Sequence, residues 1–144
     1  MKKAKNIKLV KLVITFGLLA AIFIPVTSTL AAENYYDYAF TIKAYQANTK
    51  SGGLYRETTN TSNRWRVSMY ESTESSGKDI TRFWLSGSDN TKLSPSSDVL
   101  EDNGPYYADA YSSASQRTVY LTAENNNYNA NSYACYGYWD EETN

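Results

Sequence analysis

The chain has 144 residues, with 14 basic side chains, 15 acidic side chains, one cysteine and no histidine. Without histidine, Ser-His-Asp and Cys-His nucleophiles and imidazole metal ligands are excluded. A single cysteine also excludes an internal disulfide. No other catalytic motif is present, so we expect neither enzymatic activity nor a cofactor.

The N-terminus predicts a secretory signal peptide. Five lysines and no acidic residue occur in the first 11 positions, and residues 12–24 carry no charge. A basic start followed by a short apolar run is typical of such peptides, whereas a membrane-spanning helix needs roughly 20 apolar residues. We expect cleavage near Ala32. Residues 1–32 are then the signal peptide, and residues 33–144 form one secreted, extracellular domain without stable membrane anchoring.

Cleavage changes the charge balance. Five of the 14 basic residues lie in the first 32 positions and all 15 acidic residues lie beyond them, so the mature domain carries 9 minus 15, a net charge of −6. The domain also has no cluster of Lys and Arg, which is the feature that binds phosphate backbones and anionic membranes. Nucleic acid is therefore not an expected partner.

Alternation of apolar and polar residues predicts strands in the first half of the domain. The runs YYDYAFTIKAYQ and RWRVSMY alternate with a period of two, as half-buried antiparallel strands do. Between the strands, NTKSGG is typical of a turn, and ESTESSGKD predicts an exposed loop. ITRFWLS is a third strand, and its Trp84 makes it a candidate for burial on both faces.

The second half continues this pattern. Short strands are expected around residues 92–94 and 98–100, and Asn103-Gly104 predicts a tight turn. PYYADAY, RTVYLTA and NSYACYGYWD follow as strands, with Gly137 marking a bulge or a close backbone approach and DEETN a solvated end. Seven or eight strands without a helical period after the signal peptide predict an all-β, single-domain antiparallel β-sandwich or small barrel.

The strand parity also predicts a core and the position of the cysteine. Cys135 has no nearby cation or helix N-terminus to lower a thiol pKa, so burial is the favoured interpretation. An intermolecular disulfide is the alternative. The predicted core residues are Phe40, Ile42, Trp65, Val67, Phe83, Leu85, Val119, Leu121, Cys135 and Trp139.

Tyrosine is in excess, with 14 in the chain. We predict that Tyr120, Tyr136 and Tyr138 point outward and bind a partner, because exposed tyrosines offer rigid contact area to sugars and proteins. Cross-strand pairing that only stabilises the sheet is the alternative, and a contiguous patch would favour binding. The same parity places four further tyrosines outside: Tyr35, Tyr45, Tyr70 and Tyr111.

Two acidic groups, residues 98–103 and 140–142, contain hard oxygen ligands of the kind that Ca²⁺ prefers. Neither group has the spacing of a dedicated calcium loop, so solvated acidic segments are the favoured interpretation and no metal is expected. Glycosidases use two facing carboxylates, but nothing in the sequence nominates a particular pair.

Four runs, YRETTNTSNRWRV, TRFWL, AYSSASQRTVYLTAENNNY and GYWDEET, resemble the pattern of an uncharacterised family of small secreted proteins from Gram-positive bacteria, a domain of unknown function. The resemblance covers nearly all of the mature chain, with Cys135 as a departure. It implies a secreted single domain without an established activity, and therefore no functional residues to carry over.

Three classes of function fit these observations. The favoured one is a non-catalytic binding or interaction module at or outside the cell wall, with wall glycan or another extracellular protein as its partner. A bacteriocin-like secreted antimicrobial is the alternative, although a negative charge disfavours attraction to anionic envelopes. An extracellular matrix or structural protein with strands paired between chains is a further alternative, but scattered strand charges favour a monomer.

Overall fold

The computed structural model describes residues 34–75 and 79–143, so the expected signal peptide lies outside the described residues. The eight strands are all antiparallel, and two short 3-10 turns, Ala44–Gln46 and Ser112–Ala114, accompany them. In this part of the chain, no helix is long and apolar enough to cross a membrane. The strands are β1 (Tyr36–Ile42), β2 (Thr49–Arg56), β3 (Trp65–Ser72), β4 (Ile80–Ser86), β5 (Ser97–Leu100), β6 (Tyr106–Ala108), β7 (Arg117–Asn125) and β8 (Tyr133–Asp140).

The strands form two separate four-stranded sheets. The first sheet has the order β1-β8-β3-β6, and the second has the order β2-β7-β4-β5. The predicted all-β antiparallel sandwich is therefore confirmed, and the alternative of a small barrel is wrong because neither sheet closes on itself. The last strand, β8, is an inner strand of the first sheet, where it pairs with both β1 and β3.

The core lies between the two sheets. Each of the ten residues assigned to it by strand parity is no more than 5% exposed. Complete burial of one large apolar side chain contributes about 1.5–3 kcal/mol. Two tyrosines also enter the core because their hydroxyls find partners: Tyr38 donates to the Ser68 carbonyl at 3.0 Å, and the Tyr133 hydroxyl lies 2.9 Å from the Thr81 hydroxyl.

Trp84 lies on the outer face of the second sheet and is nevertheless buried. The ammonium group of Lys92 lies 5.3 Å from the centre of its ring. The strand β4 is therefore covered on both faces, as its composition indicates.

The expected turn at NTKSGG is wrong, because this segment lies in β2 and pairs with β7. The pairing register shifts between Lys50 and Gly53, so the glycines create an irregular strand and not a reversal of the chain. A Cβ added to Gly53 would lie 2.9 Å from the ring of Tyr120, so that ring lies against the glycine, which remains exposed on its other sides. The bulky cross-strand partner replaces the packing that glycine cannot supply.

The expected solvated end at DEETN is also wrong, because residues 140–143 are all buried. The carboxylate of Glu142 accepts hydrogen bonds from the backbone N–H groups of Glu57 and Thr58 at 3.0 and 2.9 Å. Arg56, which is 1% exposed, donates to the carbonyl oxygens of Glu141 and Asn63. The acidic segment is buried because the loop after β2 supplies the donors that its oxygens need.

The loop after β3 is less exposed than expected, since the side chain of Glu74 is buried. Of the two alternatives expected at Gly137, the structure shows the close backbone approach, whereas the neighbouring bulge belongs to β3. The register of β3 with β8 shifts between Met69 and Glu71, beside Gly137, and a Cβ there would collide with the Ser68 carbonyl oxygen and the Tyr38 hydroxyl. Only glycine fits at this crossing of β8 with its neighbours.

Candidate functional site

Four tyrosines lie on the outer face of the first sheet, the face turned away from the core. We call them the tyrosine face. Two are exposed and two are half-buried. Tyr35 immediately precedes β1, Tyr136 and Tyr138 lie on β8, and Tyr107 lies on β6.

The central members come from the alternation of β8. Residues 133, 135, 137 and 139 are buried, so Tyr136 and Tyr138 point to the opposite side of the sheet. Tyr136 lies beside the bulge of β3, where Tyr70 is the extra residue. A bulge places two residues of one strand opposite one residue of its partner. Because the extra residue interrupts the alternation of β3, Tyr70 is not counted in the tyrosine face.

A buried ion pair supports one end of the tyrosine face. The guanidinium of Arg66 lies 3.3 Å from the Asp140 carboxylate, and both side chains are at most 2% exposed. The same guanidinium lies 3.9 Å from the centre of the Tyr35 ring and donates to its hydroxyl at 3.2 Å. The Tyr35 ring in turn meets Tyr138 edge to face, with ring centres 4.9 Å apart. The ion pair therefore holds two aromatic rings in fixed positions.

Burial raises the pKa of Asp140, while a hydrogen bond from the backbone N–H of Glu142 and the charge of Arg66 act in the opposite direction. The backbone N–H of Asn34 also donates to the carboxylate, at 3.1 Å. The ionised form thus has three partners, which together compensate for part of its lost hydration.

Glu141 has a less satisfied environment. Its Oε2 atom is buried and has no hydrogen-bond partner. Burial raises the pKa of Glu141 to about 7, and the charges of Asp140 and Glu142 act in the same direction, while Arg56 opposes them. Among the residues that the structure describes, no three carboxylate or thiol side chains converge as metal ligands.

A polar depression adjoins Tyr107 at the edge of the tyrosine face. Its volume is about 340 Å³, and its walls include Ser62, Arg64 and Asp109. Arg64 and Asp109 lie 3.8 Å apart and are both well exposed. Water screens such a pair strongly, so either group can exchange its partner at little cost.

The structure does not bring all three predicted partner-binding tyrosines together. Tyr136 and Tyr138 are neighbours on the first sheet, but Tyr120 lies on the outer face of the second sheet and is half-buried. The ring of Tyr120 lies against Gly53, and the ammonium group of Lys50 lies 5.2 Å from the centre of that ring. These contacts give Tyr120 a structural role.

Cys135 lies on the inner face of β8 and is fully buried. Burial raises its thiol pKa to about 12, although a hydrogen bond with Thr81 acts in the opposite direction. Very little thiolate exists near neutral pH under these conditions, and the thiolate is the reactive form. Neither nucleophilic chemistry nor an intermolecular disulfide is accessible to this thiol while β8 stays in place.

The sequence interpretation missed three members of the site. Tyr107 and the Arg66–Asp140 pair were not assigned to it, although both charged residues have the outward parity of their strands. Opposite charges at outward positions are a signal for cross-strand pairing. That signal becomes usable only once β3 and β8 are known to be neighbours.

Comparison with known proteins gives one family. Residues 27–143 match the family described as protein of unknown function, DUF2712. No curated protein and no solved structure matches the chain.

Proposed function

We propose that this chain, which belongs to the DUF2712 family, is a secreted, non-catalytic module that binds polysaccharide at or outside the cell wall of a Gram-positive bacterium. The observation that carries the proposal is the tyrosine face, whose four rings share the outer face of the first sheet and include the contacting pair Tyr35 and Tyr138. Single exposed tyrosines are normal on protein surfaces, whereas several aromatic side chains grouped on one face mark an interaction site.

The chemistry of the tyrosine face suits a sugar polymer. Sugar rings present flat C–H surfaces bordered by hydroxyl groups, and a tyrosine offers an apolar ring together with a polar hydroxyl. Tyr138 pairs with Asp37 on one side and Ser68 on the other, so polar groups lie in register beside its ring. The face can therefore combine stacking with hydrogen bonding along one row of the sheet.

Preorganisation also favours binding. The side chains of Tyr35 and Tyr138 already contact each other, and Arg66 fixes the position of Tyr35. Immobilising a free side chain on binding costs about 0.5–1.5 kcal/mol. Rings that are ordered before the ligand arrives avoid most of this cost.

The location of the charged groups supports binding over catalysis. Asp140 is engaged by Arg66, and Glu142 is engaged by two backbone amides. Cys135 lies on the other side of the sheet. Residues 1–32, as the proposed signal peptide, would deliver the domain to the outside of the cell, where the wall polymer is accessible.

Retention on insoluble cell wall tests the proposal. The protein without residues 1–32 is mixed with purified wall, and the bound fraction is measured for the wild type, for Tyr35→Ala/Tyr138→Ala and for Tyr55→Ala. Tyr55 is a matched control because it is 54% exposed and lies on the second sheet. We expect at least tenfold weaker retention of the double variant alone. Equal retention of all three proteins, or no retention of any, would contradict the proposal.

A further inference from the structure

Tyr45 and Tyr128 form an exposed aromatic pair at the other end of the sandwich from Arg66. Their ring centres are 5.4 Å apart, and the two side chains are 56% and 75% exposed. Tyr45 follows the end of β1 and Tyr128 precedes the start of β8, whereas the Arg66–Asp140 pair lies at the end of β8. The seven residues of β1 span about 23 Å, so this pair is well separated from Tyr35.

The backbone holds Tyr45 in an unfavourable conformation. Tyr45 and Gln46 have φ angles of 55° and 56°, both in the left-handed region. Glycine or asparagine is the usual occupant of such turn positions, and other residues pay about 1–3 kcal/mol each. The conformation is maintained by a hydrogen bond of 2.7 Å from the Tyr45 N–H to the Asn129 carbonyl. In this strained conformation the ring of Tyr45 is exposed to solvent and does not contribute to the core.

The loop that carries Tyr128 is ordered by its own asparagines. The buried Asn125 accepts a hydrogen bond from the backbone of Asn127 at 2.8 Å and donates from its amide to Asn129 at 3.2 Å. The Asn129 side chain also accepts from the backbone of Asn131 at 2.9 Å. Both tyrosines of the pair are thus attached to hydrogen-bonded segments that limit their movement.

The two segments that carry the pair are polar and uncharged, between Lys43 and β2 on one side and between Glu124 and β8 on the other. Residues 44–47 and 125–132 contain amide, hydroxyl, aromatic and alanine side chains, with no acidic or basic residue. Amides can both donate to and accept from ligand hydroxyls, whereas anion binding calls for cations or aligned N–H groups. Flat aromatic rings bordered by amides therefore fit a neutral sugar better than a phosphate, a nucleic acid or an acidic peptide.

We infer that Tyr45 and Tyr128 form a second binding site, specific for neutral sugar residues and independent of the tyrosine face. Two sites on one rigid domain would let a single polymer, or two neighbouring chains of a polymer network, bind both ends. The second contact then becomes intramolecular and strengthens retention without raising the affinity of either site.

Titration with soluble neutral hexasaccharides of glucose, mannose and N-acetylglucosamine tests this site, with hexagalacturonate as a charged probe of equal length. Backbone amide NMR signals are followed in the protein without residues 1–32. We expect at least one neutral hexasaccharide to shift the signals of residues 44–47 and 125–132, and hexagalacturonate to shift them less. No shift by any neutral probe, or an equal shift by the charged probe, would overturn the inference.

Two variants separate recognition from folding. Tyr45→Asn removes the ring and places a residue that tolerates the left-handed region, so we expect a higher melting temperature together with at least tenfold weaker sugar binding. Tyr128→Ala should weaken binding to the same extent, whereas Tyr111→Ala, at a position 46% exposed, should leave it unchanged. Wild-type affinity in the Tyr45→Asn or Tyr128→Ala variant would refute the site.

The location of the shifted signals distinguishes the two sites. Binding at the aromatic pair should shift residues 44–47 and 125–132, whereas binding at the tyrosine face should shift residues 35–37 and 136–140 at the far end of β8. Shifts confined to residues 35–37 and 136–140 would show that the aromatic pair is not a site. Failure of wall retention through the tyrosine face leaves the titration result unaffected, so each proposal can fail separately.

Discussion

Arg66 and Asp140 form an ion pair of 3.3 Å on the outer face of a sheet, where both side chains are nevertheless almost completely buried. The covering is provided by Tyr35, whose ring lies over the guanidinium. Removing two charges from water costs several kcal/mol for each ion, and their attraction rarely exceeds that cost by much. The pair is therefore better explained by what it positions than by the stability it adds.

Breaking this pair should be more damaging than replacing it. Asp140→Asn leaves the Arg66 charge buried without its counter-ion, and we expect a loss of about 3–5 kcal/mol in the free energy of unfolding. Arg66→Met/Asp140→Leu removes both charges and should cost less than Asp140→Asn, because neither charge is left buried without its counter-ion, although the Asn34 and Glu142 N–H groups lose their acceptor. Urea denaturation of both variants measures the difference. A smaller loss for Asp140→Asn than for the double variant would contradict the assignment of Arg66 and Asp140 as a buried ion pair.

The double variant also tests the positioning of Tyr35. With the guanidinium gone, the ring loses its cation–π contact and gains freedom. We expect the folded double variant to be retained on cell wall several-fold more weakly than the wild type. Unchanged retention would mean that the ion pair does not prepare the tyrosine face.

Glu141 should make stability depend on pH. The raised pKa, from 4.5 to about 7, means that the folded state binds a proton more tightly than the unfolded state. Between about pH 4.5 and 7 the folded protein holds more protons, so the free energy of unfolding falls as the pH rises through this window and levels off above it. The shift corresponds to at most about 3 kcal/mol.

Glu141→Gln should remove the part of the pH dependence of stability that comes from Glu141. We expect the variant to be more stable than the wild type at pH 8, and to differ little from it at pH 4. Asp140 contributes a slope of the same sign, because burial raises its pKa too, so some dependence remains. Thermal unfolding across this pH range, with the exposed Glu57→Gln as control, provides the measurement. An unchanged slope in Glu141→Gln would contradict the burial of the carboxylate.

Gly137 should be intolerant of any side chain. An added Cβ would collide with the Ser68 carbonyl oxygen and the Tyr38 hydroxyl, and a backbone atom cannot move aside cheaply. We expect Gly137→Ala to lower the free energy of unfolding by about 3 kcal/mol. Gly52→Ala is the matched control, since nothing lies within 4 Å of its Cβ position, and it should change stability by less than about 0.5 kcal/mol.

Substitutions of Tyr120 and Tyr138 should have different effects, the first on stability and the second on binding to cell wall. Tyr120→Ala removes the ring that packs beside Gly53 and Lys50, so we expect a loss of about 1–2 kcal/mol in stability with full retention on cell wall. Tyr138→Ala should show weaker retention. The opposite result, with retention dependent on Tyr120, would move the binding surface to the second sheet.

The reactivity of Cys135 checks the position of β8. A buried thiol with a pKa of about 12 should react with a thiol reagent at least a thousandfold more slowly in the native protein than in urea, because reaction requires opening of the strand. Fast labelling of the native protein would show that β8 does not lie inside the sheet.

Periodicity identified most strands and their inward residues, because side-chain direction in a strand depends only on the position of the residue along it. It failed at NTKSGG, where glycines typical of turns lie inside β2. Their packing is supplied by Tyr120 from β7. Such compensation comes from a distant segment, and a local pattern contains no information about it.

The tyrosine face and the burial of the acidic end also could not be predicted from local sequence patterns, because both depend on contacts between distant segments. Asp140 and Arg66 are 74 residues apart, and Glu142 binds amides 84 and 85 residues away. The composition of the acidic segment, residues 140–143, predicts exposure to solvent. The order of strands in the first sheet brings Arg66 to Asp140. The loop after β2, a strand of the second sheet, brings the N–H groups to Glu142.

The central position of β8 has a consequence for the order in which the molecule can assemble. β1 has no other strand as a hydrogen-bonded neighbour in its sheet, and β3 reaches β1 only through β8. A ribosome delivers β1 long before β8, so the first sheet cannot close while the intervening segments are still being made. A chain that cannot finish folding early remains unfolded for longer during synthesis, which would suit a protein that is proposed to cross a membrane.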